Sequence, residues 1–307
     1  MPLDIFGFRA MWSPNFIGVL VFIIVIYFLI TIKWRHDFKN STPLTRSEAA
    51  NFIAAMILLY IIKGSPVNLL SHIMFTMHMV QMALLLLVVP ALLIKGIPNY
   101  LWQFLINIPY IKPAFKMVTK PIIALVVFAA LFSFYHIPLV FDYVKLEESL
   151  HGLFTFVLFL SGLFLYWPLL NTLEDQPKMK GLHKVGYIIA NAVLITPACA
   201  MIIFAGSPFY ATYTDGTVWM KAMALCVPAD TLSGLTNLSG PELFTNMTPL
   251  NDQQLGGVLM KILQEIIFGI ILARVFYEWY QNDRDNAEQI TQDALLERQQ
   301  LRENEYR

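Results

Sequence analysis

The sequence predicts an all-α membrane protein, a bundle of about seven transmembrane helices. Apolar residues make up 57% of the 307 positions and charged residues only 14%, whereas about a quarter of residues are charged in soluble proteins. The charges also avoid several long apolar runs. This composition excludes a disordered chain and a nucleic-acid-binding domain. With only two cysteines, a disulfide framework and a cysteine-based zinc ribbon are excluded as well.

Seven apolar runs approach the roughly 20 residues that a helix needs to cross the hydrocarbon core. In chain order they are Phe16–Ile32, Ala49–Ile62, Leu69–Ile94, Pro121–Tyr135, His151–Leu170, Val185–Ala205 and Val258–Phe276. The second and fourth runs are short, so the number of spans is fixed only to within one. We expect the first run to remain as an anchor, because it ends in Lys33-Trp34-Arg35 rather than in a small-residue cleavage site.

The positions of lysine and arginine predict the orientation of the bundle. With the N-terminus outside, 16 of these residues fall in cytoplasmic segments and 5 in outer ones, as the positive-inside rule requires. We therefore expect an outside N-terminus and a cytoplasmic C-terminus. The chain then divides into a membrane domain, residues 1–279, and a polar helical cytoplasmic tail, residues 280–307. Within the domain, the proline-containing outer loop 206–257 is expected to be an ordered, irregular cap.

Four of the six histidines fall in the outer half of this predicted bundle. His72 and His151 open spans from the outside, His136 closes one, and His78 lies about 9 Å deeper than His72 if both are on one helix. Polar residues inside spans are costly and often functional. Taken alone, His72, His136 or His151 is better explained as an interfacial or packing residue, but the common location of all four histidines favours a site.

Methionines favour a particular kind of site. Met74, Met77, Met79 and Met82 fall within nine residues, and a continuous helix would align Met74 and Met82 with His78 on one face and His72 with Met79 on another. Neutral imidazole and thioether suit Cu(I) better than Mg²⁺, Ca²⁺ or Mn²⁺. The candidate ligands are therefore His72, His78, His136, His151, Met74, Met79 and Met82. The alternative is that the methionines only fill the apolar interior.

Further residues could extend the site. In the outer loop Met220, Met223 and Cys226 are spaced by three and could present three sulfur ligands on one helical turn. No periodicity there supports a helix, and packing is the favoured explanation. In the last span Asp252 and Glu265 could orient a ligand or relay a proton, Met260 adds a thioether, and Lys261 could simply pair with Glu265.

These motifs resemble those of CtaG, the integral-membrane assembly-factor family of caa-type cytochrome c oxidase in Gram-positive bacteria. The resemblance rests on three stretches that together cover most of the chain. They are Ser71-His72 with His78-Met79-Val80-Gln81-Met82, Pro90 and Gly96-Ile97-Pro98; His136-Ile137-Pro138 with Glu148, His151, Gly162 and Trp167-Pro168; and Asp252-Gln253-Gln254-Leu255-Gly256-Gly257-Val258-Leu259-Met260. Many relatives have histidine at the position of Met82 and another near Glu147, so this chain departs from an all-histidine pattern.

The resemblance implies a non-enzymatic factor in the bacterial cell membrane that helps mature an aa-type oxidase, with copper delivery to oxidase subunits as the favoured mechanism. Self-association into a homo-oligomer is a further possibility that the polar tail raises. Two other hypotheses stay open: a transporter of copper or protons, and a metal-free scaffold whose histidines merely pack. The sequence shows no recognisable set of a nucleophile, a base and an acid that would indicate an enzyme.

Overall fold

A computed structural model describes residues 3–173, 176, 179, 181–225, 227, 244–287, 291, 292, 295 and 298. All regular structure within these ranges is helical, and they contain no strand, which confirms the predicted fold class. The helices are α1 Gly7–Trp12, α2 Pro14–Phe28, α3 Arg46–Lys63, α4 Pro66–Ile73, α5 Phe75–Ala83, α6 Val89–Gly96, α7 Asn99–Ile106, α8 Ile111–Val118, α9 Pro121–Tyr135, α10 Pro138–Lys145, α11 Glu148–Leu170, α12 Leu182–Ile203, α13 Gly216–Met223 and α14 Pro249–Asp285.

Five helical stretches are long and apolar enough to cross a membrane: Gly7–Lys33, Phe75–Gly96, Glu148–Leu170, Leu182–Ile203 and Pro249–Asp285. Two bent pairs raise the number of spans in the described residues to seven if each pair crosses once. These are α3 with α4, bent by 45°, and α8 with α9, bent by 81°. The seven candidates overlap the seven apolar runs, and the chain is a multi-pass membrane protein. Its orientation stays a prediction.

Several helix starts follow from local sequence. Proline occupies the first turn of α2, α4, α9 and α10, where its missing N–H costs nothing and its fixed φ suits the helix. Helix α3 begins with a capping box in which Thr45 and Glu48 bond each other's backbone N–H. Helix α11 begins where the Glu147 side chain accepts a bond from the Leu150 N–H.

The prediction of one continuous helix over Leu69–Ile94 is wrong. Helix α4 ends at Ile73, Met74 is extended with φ −127° and ψ 135°, and α5 begins at Phe75. Met74, His78 and Met82 therefore do not share one helical face, and His72 is not aligned with Met79. Only His78 and Met82, both within α5, keep their common helical face.

A second irregularity lies farther along the same span. Residues Leu84–Val88 form a π-helical segment that joins α5 to α6, immediately before Pro90, which cannot donate to the carbonyl four residues earlier. Gly162 of α11 approaches that carbonyl closely: a Cβ at position 162 would lie 2.6 Å from the Leu86 oxygen. The irregular span and the glycine together bring α11 against the centre of the bundle.

The span of α5 and α6 forms the centre of the bundle and packs against α3, α11 and α14. A smaller apolar cluster, which we call the outer cluster, joins the chain start, α4 and α13. Its buried members are Phe6, Leu69, Ile73, Trp219, Met223 and Val227. The first span lies at the periphery, where Phe22 and Val21 are more than half exposed, as expected of a helix that faces lipid.

Candidate functional site

The break at Met74 is stabilised on one side by a residue from the last helix. Asp252 accepts hydrogen bonds from the backbone N–H groups of Phe75 at 2.7 Å and Thr76 at 3.1 Å. These are the first donors of α5, which have no partner within their own helix, and a carboxylate there also complements the helix dipole. Asp252 thus serves as the N-terminal cap of α5 and fixes where His78 lies.

The other side of the break is stabilised by the end of α10 and by the segment that precedes α13. The carbonyl oxygen of Ser71, in the last turn of α4, accepts a hydrogen bond from the Tyr213 hydroxyl at 2.7 Å and lies 3.5 Å from the Lys145 ammonium. A cation is favourable at the negative end of a helix. Burial raises the pKa of the Tyr213 phenol well above its usual range, so this hydroxyl stays a donor.

The broken span brings His78 of α5 next to His136, the residue that ends α9. Their ring centroids are 6.1 Å apart, and neither side chain is exposed. The His136 Nδ1 lies 2.8 Å from the carbonyl oxygen of Phe132. A carbonyl can only accept, so Nδ1 carries the proton and Nε2 presents a lone pair. A histidine held this way is oriented as metal-binding histidines commonly are.

His72 and His151 form a second pair beside the first, with ring centroids 6.0 Å apart. Tyr135 connects the pairs: its hydroxyl lies 3.4 Å from the His151 Nδ1, and its ring centroid is 5.9 Å from that of His78. His151 is half-buried, and the other three histidines are buried. All four histidines chosen from the sequence therefore lie in one group, which we call the histidine cluster.

Four imidazole nitrogens in the histidine cluster are buried without a hydrogen-bond partner in the described residues: His72 Nδ1, both nitrogens of His78, and His136 Nε2. A buried polar atom left unpaired costs about 1–3 kcal/mol, and these nitrogens are free to accept a ligand. The donor chemistry fits Cu(I), but the geometry is that of two pairs. No set of three or more His, Cys, Asp or Glu side chains converges on a metal position within the described part of the chain.

Two lysines lie near the histidines, and the sequence marks them only as charges outside the apolar runs. Lys145 is fully buried and Lys63 half-buried, and both interact electrostatically with His72, His78 and His151. The Lys63 ammonium lies 3.2 Å from the Gln81 Oε1. Their positive charge opposes a cation in the histidine cluster. The hydropathy pattern could not reveal them, because both residues stand at helix ends.

The methionines separate into two groups. Met79 and Met82 are fully buried in the main core, and Met82 shares the helical face of His78. Met74, Met220 and Met223 belong to the outer cluster. Helix α13, which periodicity did not indicate, carries the last two, so packing accounts for them.

The accessory residues also have structural partners. Glu265 forms an ion pair with Lys261 at 2.6 Å and lies about 20 Å along α14 from Asp252. Met260 is buried in the main core. Cys226 lies outside the described residues, as does most of the tail, although α14 continues past residue 280 to Asp285.

The residues that follow Asp252 form hydrogen bonds with the start of the loop 206–257. The Gln253 Oε1 accepts from the Phe209 N–H at 2.7 Å, and the Gln254 amide donates to the Ala205 carbonyl at 2.9 Å. At Gly256 a Cβ would lie 2.8 Å from the Phe75 ring. The stretch Asp252-Gln253-Gln254-Leu255-Gly256 thus fastens α14 to both α5 and the loop.

With this geometry established, comparison with known proteins identifies the family. The profile of the cytochrome c oxidase caa3 assembly factors (Caa3_CtaG) matches residues 25–282. The chain belongs to this family. Membership implies interaction with a cytochrome c oxidase and indicates a non-enzymatic role. Comparison with curated proteins and with solved structures returned no significant match.

Proposed function

We propose that this caa3 assembly factor holds Cu(I) transiently at the histidine cluster and passes it to a subunit of its client oxidase, without acting as an enzyme. Family membership supports the assembly role. The observation that carries the copper step is the His136 lone pair, oriented by the Phe132 carbonyl and buried beside the unpaired nitrogens of His78. Two neutral imidazoles, with Met82 on the same face of α5, are suitable donors for Cu(I).

The residues around the histidine cluster favour transfer of a bound Cu(I) ion over its storage. Lys63 and Lys145 raise the electrostatic cost of a bound cation, so the affinity is expected to be moderate. Access is available through a groove of about 320 Å³ that is lined by Lys63, His151, Thr155 and apolar residues. Because His151 lines this groove, it would be the first or last ligand in an exchange.

Oxidase maturation tests this proposal. In cells whose caa3 oxidase depends on this chain, His78→Ala and His136→Ala should each lower both oxidase activity and copper per oxidase, while the variant accumulates in the membrane as the wild type does. Supplementing the medium with copper should restore part of the activity. His36→Ala and His183→Ala are matched controls, because both histidines are exposed and lie outside the histidine cluster.

A metal-free scaffold is the second candidate, and a specific observation favours it: the described residues contain no three-ligand set, and two lysines flank the histidines. On that reading the histidines serve packing. Normal copper per oxidase in the His78→Ala and His136→Ala strains would establish the scaffold and remove the copper step.

A further inference from the structure

A cavity of about 600 Å³ lies at the opposite end of the bundle from the histidine cluster. It is enclosed by α6, α11, α12 and the second half of α14. Along α5 and α6, 17 residues separate His78 from Lys95 at the cavity rim, a distance of about 25 Å at 1.5 Å per residue. The cavity is therefore separate from the proposed copper site.

The cavity has an apolar wall and a charged rim. Leucine, isoleucine, valine and alanine side chains form the wall, namely Leu87, Val88, Ala91, Leu92, Leu169 and Ile271 among others. Lys95, Lys184 and Arg274 stand at the rim together with one carboxylate, Glu278. The π-helical segment contributes Leu87 and Val88, so the irregular winding of this span shapes the wall.

Lys95 lies close enough to the other two cations to interact with them. Lys95 is repelled by Lys184 and Arg274 and attracted by Glu278. Within the described ranges, none of the three forms an ion pair or a hydrogen bond to a side chain. Among the described residues that line the cavity, three cations stand against one carboxylate, and an anion at the rim would relieve the mutual repulsion of these cations.

We propose that this cavity binds an anionic phospholipid, with an acyl chain against the apolar wall and the phosphate between Lys95, Lys184 and Arg274. An apolar cavity between membrane helices with a basic rim is the arrangement that recognises such head groups. A free phosphate would use the rim and leave the wall uncovered, so the shape of the cavity favours the lipid. This inference does not depend on the copper proposal.

Native mass spectrometry of the full chain in detergent can test it. With phosphatidylglycerol and phosphatidylcholine of identical acyl chains at equal concentration, the wild type should retain phosphatidylglycerol preferentially. Neutralising Lys95, Lys184 and Arg274 together by glutamine should weaken its binding by about a hundredfold, taking about fivefold for each cation. The matched control replaces Lys112, Lys116 and Lys120 by glutamine, three cations that do not line the cavity, and should bind as the wild type does.

The apolar wall has its own test. Ala91→Trp fills the cavity without changing the charge and should also abolish lipid retention, whereas Ile122→Trp, at a site that is 76% exposed, should not. Thermal unfolding confirms that each variant is folded. Equal retention of the two lipids by the wild type, or equal loss in the control triple variant, would overturn the proposal. Displacement of the lipid by glycerol 3-phosphate at the same concentration would instead identify a soluble phosphate as the ligand.

Discussion

Removal of the Asp252 carboxylate should destabilise the whole bundle, because this group caps α5 from 176 residues away. Asp252→Ala leaves the N–H groups of Phe75 and Thr76 without an acceptor in a buried position. At about 1–3 kcal/mol for each unpaired group, the expected loss is about 2–6 kcal/mol. Asp252→Asn keeps one oxygen acceptor and should lose about half as much.

The assay is thermal unfolding in one detergent, followed by far-ultraviolet circular dichroism. A loss of 2 kcal/mol or more should lower the Tm by at least about 3 °C. Asp37→Ala is the matched control, since Asp37 is exposed and its side chain caps nothing in the described residues. A local cap should compensate: adding Met74→Ser to Asp252→Ala should recover about 1 kcal/mol, because position 74 is the N-cap of α5.

Two results would refute this reasoning. An unchanged Tm for Asp252→Ala would mean that the two N–H groups find other partners at no cost. A Met74→Ser substitution that lowers the Tm equally in the wild type and in Asp252→Ala would show that the missing cap is not what destabilises the variant.

Two further outcomes are expected from the same contacts. Gly256→Ala should destabilise the protein by about 1–3 kcal/mol, because the new Cβ would lie 2.8 Å from the Phe75 ring and 3.1 Å from the Thr76 Cα. Gly269→Ala is the control on the same helix: its Cβ would meet nothing within 4 Å, so it should be neutral or stabilising. Tm measurements on both variants test this difference. Lys63→Gln should raise the affinity for Cu(I) by about tenfold, since it removes one charge that repels a cation at the histidines, taken as about 1.4 kcal/mol. Chelator competition measures this affinity, and an unchanged or lower value would contradict the prediction.

The sequence predicted the fold class because apolar length is a local property. Each of the seven runs overlaps a helix or bent pair that can span a membrane, and the resemblance to the CtaG family is confirmed by the family match over residues 25–282. The inside and outside assignments, the division at residue 280 and the metal-binding role of the histidines stay predictions.

The break at Met74 could not be predicted from the third run alone. Residues 69–94 carry no Asp, Glu, Lys or Arg, and nothing local ends a helix at Ile73. The groups that stabilise the break come from distant positions: Asp252 from the last helix, Lys145 from the end of α10 and Tyr213 from the segment before α13. Periodicity therefore gave the wrong relation between His72 and Met79.

The pairing within the histidine cluster could not be predicted from the sequence either. Charge counting placed His72, His78, His136 and His151 in one half of the membrane, which is a one-dimensional statement about depth. Whether they pair with each other depends on how α4, α5, α9 and α11 pack. The contact of both pairs with Tyr135 and the burial of Lys145 depend on side-chain packing. Residue spacing along the sequence does not predict such packing.

Cu(I) binding at the histidine cluster can be measured on the purified protein in competition with a chromogenic chelator. The wild type and the His36→Ala control should bind about one Cu(I) per chain, and His78→Ala with His136→Ala in one chain should bind none while keeping the wild-type circular dichroism spectrum. Wild-type protein that takes no Cu(I) from the chelator, or a double variant that binds as the wild type does, would contradict the account.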